Sequence, residues 1–191
     1  MKYITPFLQT DRLILKKGIY EDYVKVYEYD LTRLRNIDGE FEFVKYDPNK
    51  LKGYEKYADD EENVLDFIVY LKANNRPIGN ILYDRYDDKN KSLEIAVNLH
   101  PDYWKKGYMT EALLCSMEYV FNNLDIDNII YGYAEENFKS KGLSDKLGFQ
   151  FYYDYIEHYT RIDKDIKEIK TIMHKDDFNA KYVHQLKSIR K

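Results

Sequence analysis

Residues 98–151 read NLHPDYWKKGYMTEALLCSMEYVFNNLDIDNIIYGYAEENFKSKGLSDKLGFQF, and the order of elements in this stretch decides the fold. A strand is expected to end near Leu99, where His100-Pro101-Asp102 turns the chain. A lysine-rich loop with one glycine follows, from Trp104 to Thr110. Leu113, Met117, Val120, Phe121 and Leu124 then recur at spacings of three and four. That spacing predicts a helix over 111–123 with one apolar face. A strand is expected over 128–134 and a short helix over 140–147. Gly148 is placed to end that helix in the left-handed conformation.

A strand, a glycine loop and a helix start in this order make an anion site. The first N–H groups of a helix have no internal partner, and the helix dipole adds roughly half a positive charge there. Lys105 and Lys106 add full charges, and Gly107 lets the backbone turn close to a ligand. A pyrophosphate is the natural guest. Two lysines and a glycine also describe an ordinary charged surface turn, so the loop needs its wider context.

Working outward, residues 12–17 read as a first strand. Residues 20–35 read as a helix, with Val24, Tyr27, Leu31 and Leu34 on one face. Residues 38–63 are irregular, with room for a short helix over 51–57; the segment is either a connector or the cover of a substrate cleft. Residues 64–72 carry Leu65, Phe67, Val69 and Leu71 at period two and read as a strand. Strands over 78–86 and 92–99 follow, each after a polar turn. Beyond residue 149, strands are expected over 151–162 and 166–174 around the turn Asp163-Lys164-Asp165. A final helix over 176–191 is expected to pack on its own domain. Antiparallel strands first and strand–helix–strand–helix afterwards indicate an α/β fold with a mixed sheet rather than a doubly wound one. No repeat or low-complexity linker divides the chain, so residues 1–191 read as a single domain.

The composition agrees with a globular chain: 44% hydrophobic and 34% charged residues in 191. A net charge of −4 argues against a nucleic-acid partner. No apolar run reaches the roughly twenty residues of a membrane span, and the N-terminus lacks a signal-peptide core. The single cysteine, Cys115, precludes an internal disulfide, which fits a reducing cytoplasm; its place on the central helix suggests packing. The four histidines show no metal-ligand spacing, so no metal is expected. Twenty-one tyrosines suit packing and the lining of a cleft alike.

The run Glu94-Ile95-Ala96, then Pro101-x-Tyr103-Trp104-x-Lys106-Gly107-Tyr108-x-Thr110-Glu111-Ala112, resembles the acyl-CoA loop of the GCN5-related N-acetyltransferases. It is most similar to the branch holding the ribosomal-protein N-terminal acetyltransferases. Glu136-Asn137, Ser140 and Lys146-Leu147-Gly148-Phe149 match the second half of that pattern, and Thr10-Asp11-Arg12-Leu13-Ile14-Leu15 matches the usual opening of the branch. The resemblance implies the fold of the family, a mixed and mostly antiparallel central sheet flanked by helices. It implies acetyl-CoA as cosubstrate, an amine as acceptor, and a monomer or homodimer. Two positions depart from the pattern. Lys105 stands where glycine is common. Met109 stands where glycine or alanine is common, and its long side chain is expected to crowd a pyrophosphate unless it turns away.

The resemblance also implies roles. Lys105, Lys106, Gly107, Tyr108, Met109 and Thr110 would bind the cofactor's diphosphate. The β-strand at Val97 and Asn98 would offer a backbone N–H to the thioester oxygen. Glu94 would be the general base; its alternative is a strand glutamate paired with a lysine. Asn137 would contact the pantetheine arm or hold a water, or else cap the following helix. Ser140 would serve the departing thiolate, or again cap the helix. Many relatives carry a tyrosine a few residues later, but Leu143 and Ser144 occupy that region, so the proton donor stays open. A protein N-terminus, a polyamine and an amino-sugar are all open as acceptors. A binding module without turnover and a transferase of another acyl chain are the rival readings.

Overall fold

The computed structural model describes residues 4–27, 65–159 and 163–189. The chain runs β1 (Leu8–Gln9), β2 (Leu13–Lys16), α1 (Tyr20–Tyr27), β3 (Leu65–Leu71), β4 (Pro77–Asp87) and β5 (Ser92–Leu99). A 3₁₀ turn, Pro101–Tyr103, leads to α2 (Tyr108–Asn123). Then come β6 (Asn128–Ala134), α3 (Phe138–Leu147), β7 (Gln150–Tyr159), β8 (Lys164–His174) and α4 (Lys175–Ile189). The strands form one sheet in the order β1-β2-β3-β4-β5-β6-β8-β7. Every neighbouring pair is antiparallel except β5–β6. The expected mixed α/β sheet is the observed one.

Period-two alternation sorts each strand onto two faces. Leu93 and Ile95 of β5, with Ile129 and Tyr131 of β6, join Leu113, Met117, Val120 and Phe121 of α2 in the main core. Each fully buried side chain of this size contributes about 1.5–3 kcal/mol. Tyr83 and Ser116 meet inside this core, oxygen to oxygen at 2.8 Å, so both buried hydroxyls are satisfied. The opposite face is covered in part by α1, where Tyr23 and Val26 pack on Ile68 and Tyr70. Of the expected face of the first helix only the Val24 side chain is described: it is half-buried, while Tyr23 and Val26 are buried. The rest of that expected helix and the expected short helix over 51–57 lie outside the described residues.

Helix starts differ most from expectation. α2 begins at Tyr108, directly after Gly107, and α3 begins at Phe138, directly after Asn137. Helical periodicity marks where an apolar face runs, whereas capping geometry marks where it starts. Gly148 ends α3 with φ 85°, as its position suggests. β8 inserts between β6 and β7, so the last hairpin returns into the sheet and leaves β7 as the outer strand. α4 packs on its own chain: Phe178 is buried against Phe121 with ring centroids 5.3 Å apart, and the Tyr182 hydroxyl donates to the Leu147 carbonyl at 2.9 Å.

Candidate active site

The loop between β5 and α2 is built by local hydrogen bonds. The Asp102 N–H donates to His100 Nδ1 at 3.2 Å, and Trp104 Nε1 donates to the Leu99 carbonyl at 2.6 Å. Lys105 and Gly107 both take left-handed backbone angles, φ 59° and 78°. Glycine meets no Cβ penalty there; lysine does, which explains why the family pattern commonly has glycine at the first of these positions. The Lys106 ammonium donates to the Asp102 carbonyl at 2.8 Å. The Glu111 N–H makes the first bond of α2, to the Gly107 carbonyl at 3.0 Å. No side chain caps the N-terminus of α2. The N–H groups of Tyr108, Met109 and Thr110 therefore precede the helical ladder, the arrangement that suits an anion.

Met109 does not crowd this site. Its side chain is 6% exposed and belongs to the main core with Leu113 and Met117. One turn before Leu113, it continues the apolar stripe of α2 inward. The side chain thus turns away from the loop, which was the alternative to crowding it.

The second part of the site is a wedge in the sheet. β5 and β6 pair from Ser92–Asn128 to Ile95–Tyr131 and no further. Yet β5 stays paired to β4 as far as Leu99, and β6 to β8 as far as Ala134. The two halves of the sheet therefore part beyond Ile95. Val97 and Asn98 lie on the edge of β5 that turns away from β6. The free end of β5 runs into the anion loop, and the free end of β6 runs into Asn137.

Glu94 sits at the last rungs before the wedge opens, and both of its carboxylate oxygens are engaged. Oε1 accepts from the Lys170 ammonium, and Oε2 accepts from Arg85 Nη1 at 3.0 Å. The Lys170 side chain is 6% exposed, so this ion pair is largely shielded from solvent. Lys170 stands opposite Gly132 in the β6–β8 ladder and reaches β5 by lying across that glycine. A Cβ at Gly132 would come within 2.5 Å of the ammonium nitrogen. Burial pushes the neighbouring Asp84 carboxyl up, against the pull of Arg85. Tyr155 faces the same group of charges. Burial, then a hydrogen bond to Glu157, pushes its phenol up to about 12. Behind it the Tyr159 hydroxyl donates to the buried Glu168 at 2.6 Å.

Asn137 caps α3: its Oδ1 accepts the Ser140 N–H at 3.0 Å. The capping alternative for Asn137 is thus realised, and Ser140 supplies the capped N–H rather than the cap. Burial pushes the Tyr131 phenol up to about 12, and the nearby Ser140 side chain opposes that rise. The tyrosine that many relatives carry a few residues after Ser140 is replaced in this region by Leu143 and Ser144. The structure brings one from β6 instead, at the last β5–β6 rung. Lys170, Arg85 and Gly132 were also missed. Their signal was faint: a lysine inside the run Ile169-Lys170-Thr171-Ile172-Met173 is unusual for an interior strand, but only the sheet order reveals that β8 is interior.

A mixed sheet that parts beside an uncapped helix start defines a class of acyl-CoA-dependent transferases. A model of the acetyltransferase (GNAT) domain matches residues 12–150. The chain belongs to this acetyltransferase family. An uncharacterized N-acetyltransferase of Bacillus subtilis, YnaD, is 30% identical over 148 residues, which is 75% of this chain and 82% of the relative. A GCN5-related N-acetyltransferase from Brucella melitensis shares the fold with a TM-score of 0.80 at 18% identity, over 97% of this chain and 86% of that one. So does the microcin C7 self-immunity acetyltransferase MccE, solved with acetyl-CoA and AMP, with a TM-score of 0.68 at 14% identity over 86% and 93% of the two chains. Among the described residues no helix is long and apolar enough to cross a membrane.

Proposed function

We propose that this chain transfers the acetyl group of acetyl-CoA to a primary amine by direct attack in a ternary complex. The observation that carries the reading is the uncapped start of α2 beside the wedge between β5 and β6. Acetyl-CoA bound to MccE supports the same choice of cosubstrate. The diphosphate is received by the N–H groups of Tyr108, Met109 and Thr110 after the turn at Gly107, with Lys105 and Lys106 supplying charge. The acyl arm enters the wedge along Val97 and toward Asn137. A backbone N–H of the Val97–Asn98 edge stabilises the thioester oxygen as it gains charge. We assign the whole chain to one domain with a cytoplasmic role.

The acceptor arrives as an ammonium ion and must lose two protons. One leaves before or during attack, when the new C–N bond forms. The other leaves as the C–S bond breaks, and the thiolate takes one proton to become coenzyme A. A lysine-type amine has a pKa of about 10.4 and is roughly one part in a thousand neutral at pH 7; an α-amine, at about 7.7–8.0, is about one part in ten. Glu94 is the candidate base, directly or through water. Lys170 and Arg85 each take one lone pair of its two oxygens, so the proton would come to a second lone pair. Ser140, backed by Tyr131, is the candidate hydrogen-bond donor to the thiolate. The proton that the thiolate takes is one of the two that leave the nitrogen.

Coenzyme A binding and thiol release from acetyl-CoA with a panel of amines test the reading. Saturation at a hundred times Kd adds about 2.7 kcal/mol of apparent stability. No thermal shift at millimolar coenzyme A refutes it. Binding without thiol release from any amine leaves a binding module, and preference for a longer acyl thioester leaves another acyltransferase.

A further inference from the structure

The turn between β1 and β2 fastens the anion loop from below. Arg12 Nε donates to Glu111 Oε2 at 2.6 Å, and Nη2 meets the same oxygen at 2.6 Å. Its Nη1 donates to the Lys106 carbonyl at 3.1 Å, and the guanidinium lies 4.5 Å from the centre of the Tyr108 ring. The Arg12 N–H and the Thr10 hydroxyl both donate to Glu111 Oε1. The same hydroxyl accepts the Leu13 N–H at 2.9 Å, which keeps the turn closed.

Glu111 stands in the first turn of α2. A carboxylate there suits the helix dipole but opposes any diphosphate that binds at the same end. The Lys106 carbonyl, one residue before Gly107, would oppose it too if it turned outward. Arg12 touches both groups. We propose that Arg12 is a positioning residue for acyl-CoA: it neutralises Glu111 and turns the Lys106 carbonyl inward, so that the α2 start presents N–H groups alone to the diphosphate. This rests on the reading above that the loop receives acyl-CoA. The planar fork of arginine makes the two contacts at once, to a carboxylate and to a carbonyl; a lysine ammonium has no such fork.

Calorimetry with coenzyme A, together with acetyl-CoA kinetics, tests this on four variants beside the wild type. Arg12→Ala should weaken coenzyme A about tenfold and place the loss in the acetyl-CoA KM rather than in kcat. Arg12→Lys should fall between. Arg12→Ala/Glu111→Gln should regain most of the affinity, because the exposed carboxylate is gone; a merely structural role for Arg12 predicts no such recovery. Glu111→Gln alone should bind coenzyme A as tightly as wild type or more tightly, which keeps the proposal testable if Arg12→Ala does not fold. Unchanged affinity in Arg12→Ala, no recovery in the double variant, or weaker binding in Glu111→Gln overturns it. A wild type that binds no coenzyme A overturns the acyl-CoA reading instead.

Discussion

The Glu94 cluster lies on β5 and the loop before α2 follows its end, and the two are assembled in opposite ways. The loop comes from one contiguous stretch, Trp104 to Thr110, whose donors are backbone groups. Any sequence that turns at Gly107 and starts a helix at Tyr108 supplies them. The Glu94 cluster is built from side chains on three strands: Arg85 of β4, Glu94 of β5 and Lys170 of β8. Its charges meet only because β8 inserts beside β6 and because Gly132 lets a lysine pass. Those backbone donors do not depend on side chains that face away from the loop, and Met109 is buried in the core. The Glu94 cluster depends on pairings that no short segment contains.

The hardest test of this contrast is Glu94→Gln. As the base, Glu94 should cost roughly 10²–10⁴ in kcat/KM toward a high-pKa amine when replaced, and less as the assay pH rises and neutral amine becomes available. The same change leaves the Lys170 ammonium buried without its carboxylate, which costs about 3–5 kcal/mol of stability. Adding Lys170→Met should restore the urea midpoint without restoring turnover. Wild-type turnover in Glu94→Gln would reduce the cluster to a structural ion pair.

Met109→Ala probes the loop side. Truncating a core methionine should destabilise the chain by about 2–5 kcal/mol. Coenzyme A affinity, measured by calorimetry below the melting range, should not tighten. Tighter binding would mean that the side chain reaches the loop after all.

Asp66 sharpens the comparison from the same sheet face as Glu94, in register with Leu82. Its carboxyl accepts from the Tyr23 hydroxyl, and burial pushes it up to about 6, with only a partial pull downward from Tyr23 and Lys17. The folded value lies above the ordinary 3.8. Its contribution is therefore fully present below about pH 4 and is lost as pH rises through about 6. The difference between the two values corresponds to about 3 kcal/mol. Asp66→Asn should remove this slope and make the chain more stable than wild type at pH 8. Parallel urea titrations at pH 4, 6 and 8 measure it, and equal slopes in both proteins would show that Asp66 does not titrate in this window.

The smallest effect belongs to Lys105. Its left-handed φ of 59° costs an ordinary residue about 1–2 kcal/mol, and glycine removes that strain while loosening the unfolded chain. Lys105→Gly should raise stability by about 1 kcal/mol or less and lower coenzyme A affinity slightly through the lost charge. A destabilised variant would show that the lysine side chain holds the loop.

Much of the fold was legible because periodicity is a local property. Strands 92–99 and 128–134 were read to the residue, and the stripe Leu113-Met117-Val120-Phe121 faces the core as its spacing implies. The burial of Tyr23 and Val26 was not legible, because they make as regular a stripe as Val24 and Tyr27, and their contact with Ile68 and Tyr70 is set by the sheet.

By itself the sequence determined the order of elements, the glycine turn before α2, the left-handed stop at Gly148 and the family, because turns, caps and apolar stripes act over a few residues. Only the tertiary structure decided that Met109 turns inward, that Arg12 holds Glu111, that Asn137 spends its oxygen on a helix cap, and that Glu94 is shared between Lys170 and Arg85. Those outcomes depend on which strands become neighbours. Sheet order and register set the distances between charges, and electrostatic and hydrogen-bonding partners are chosen by distance in space rather than along the chain.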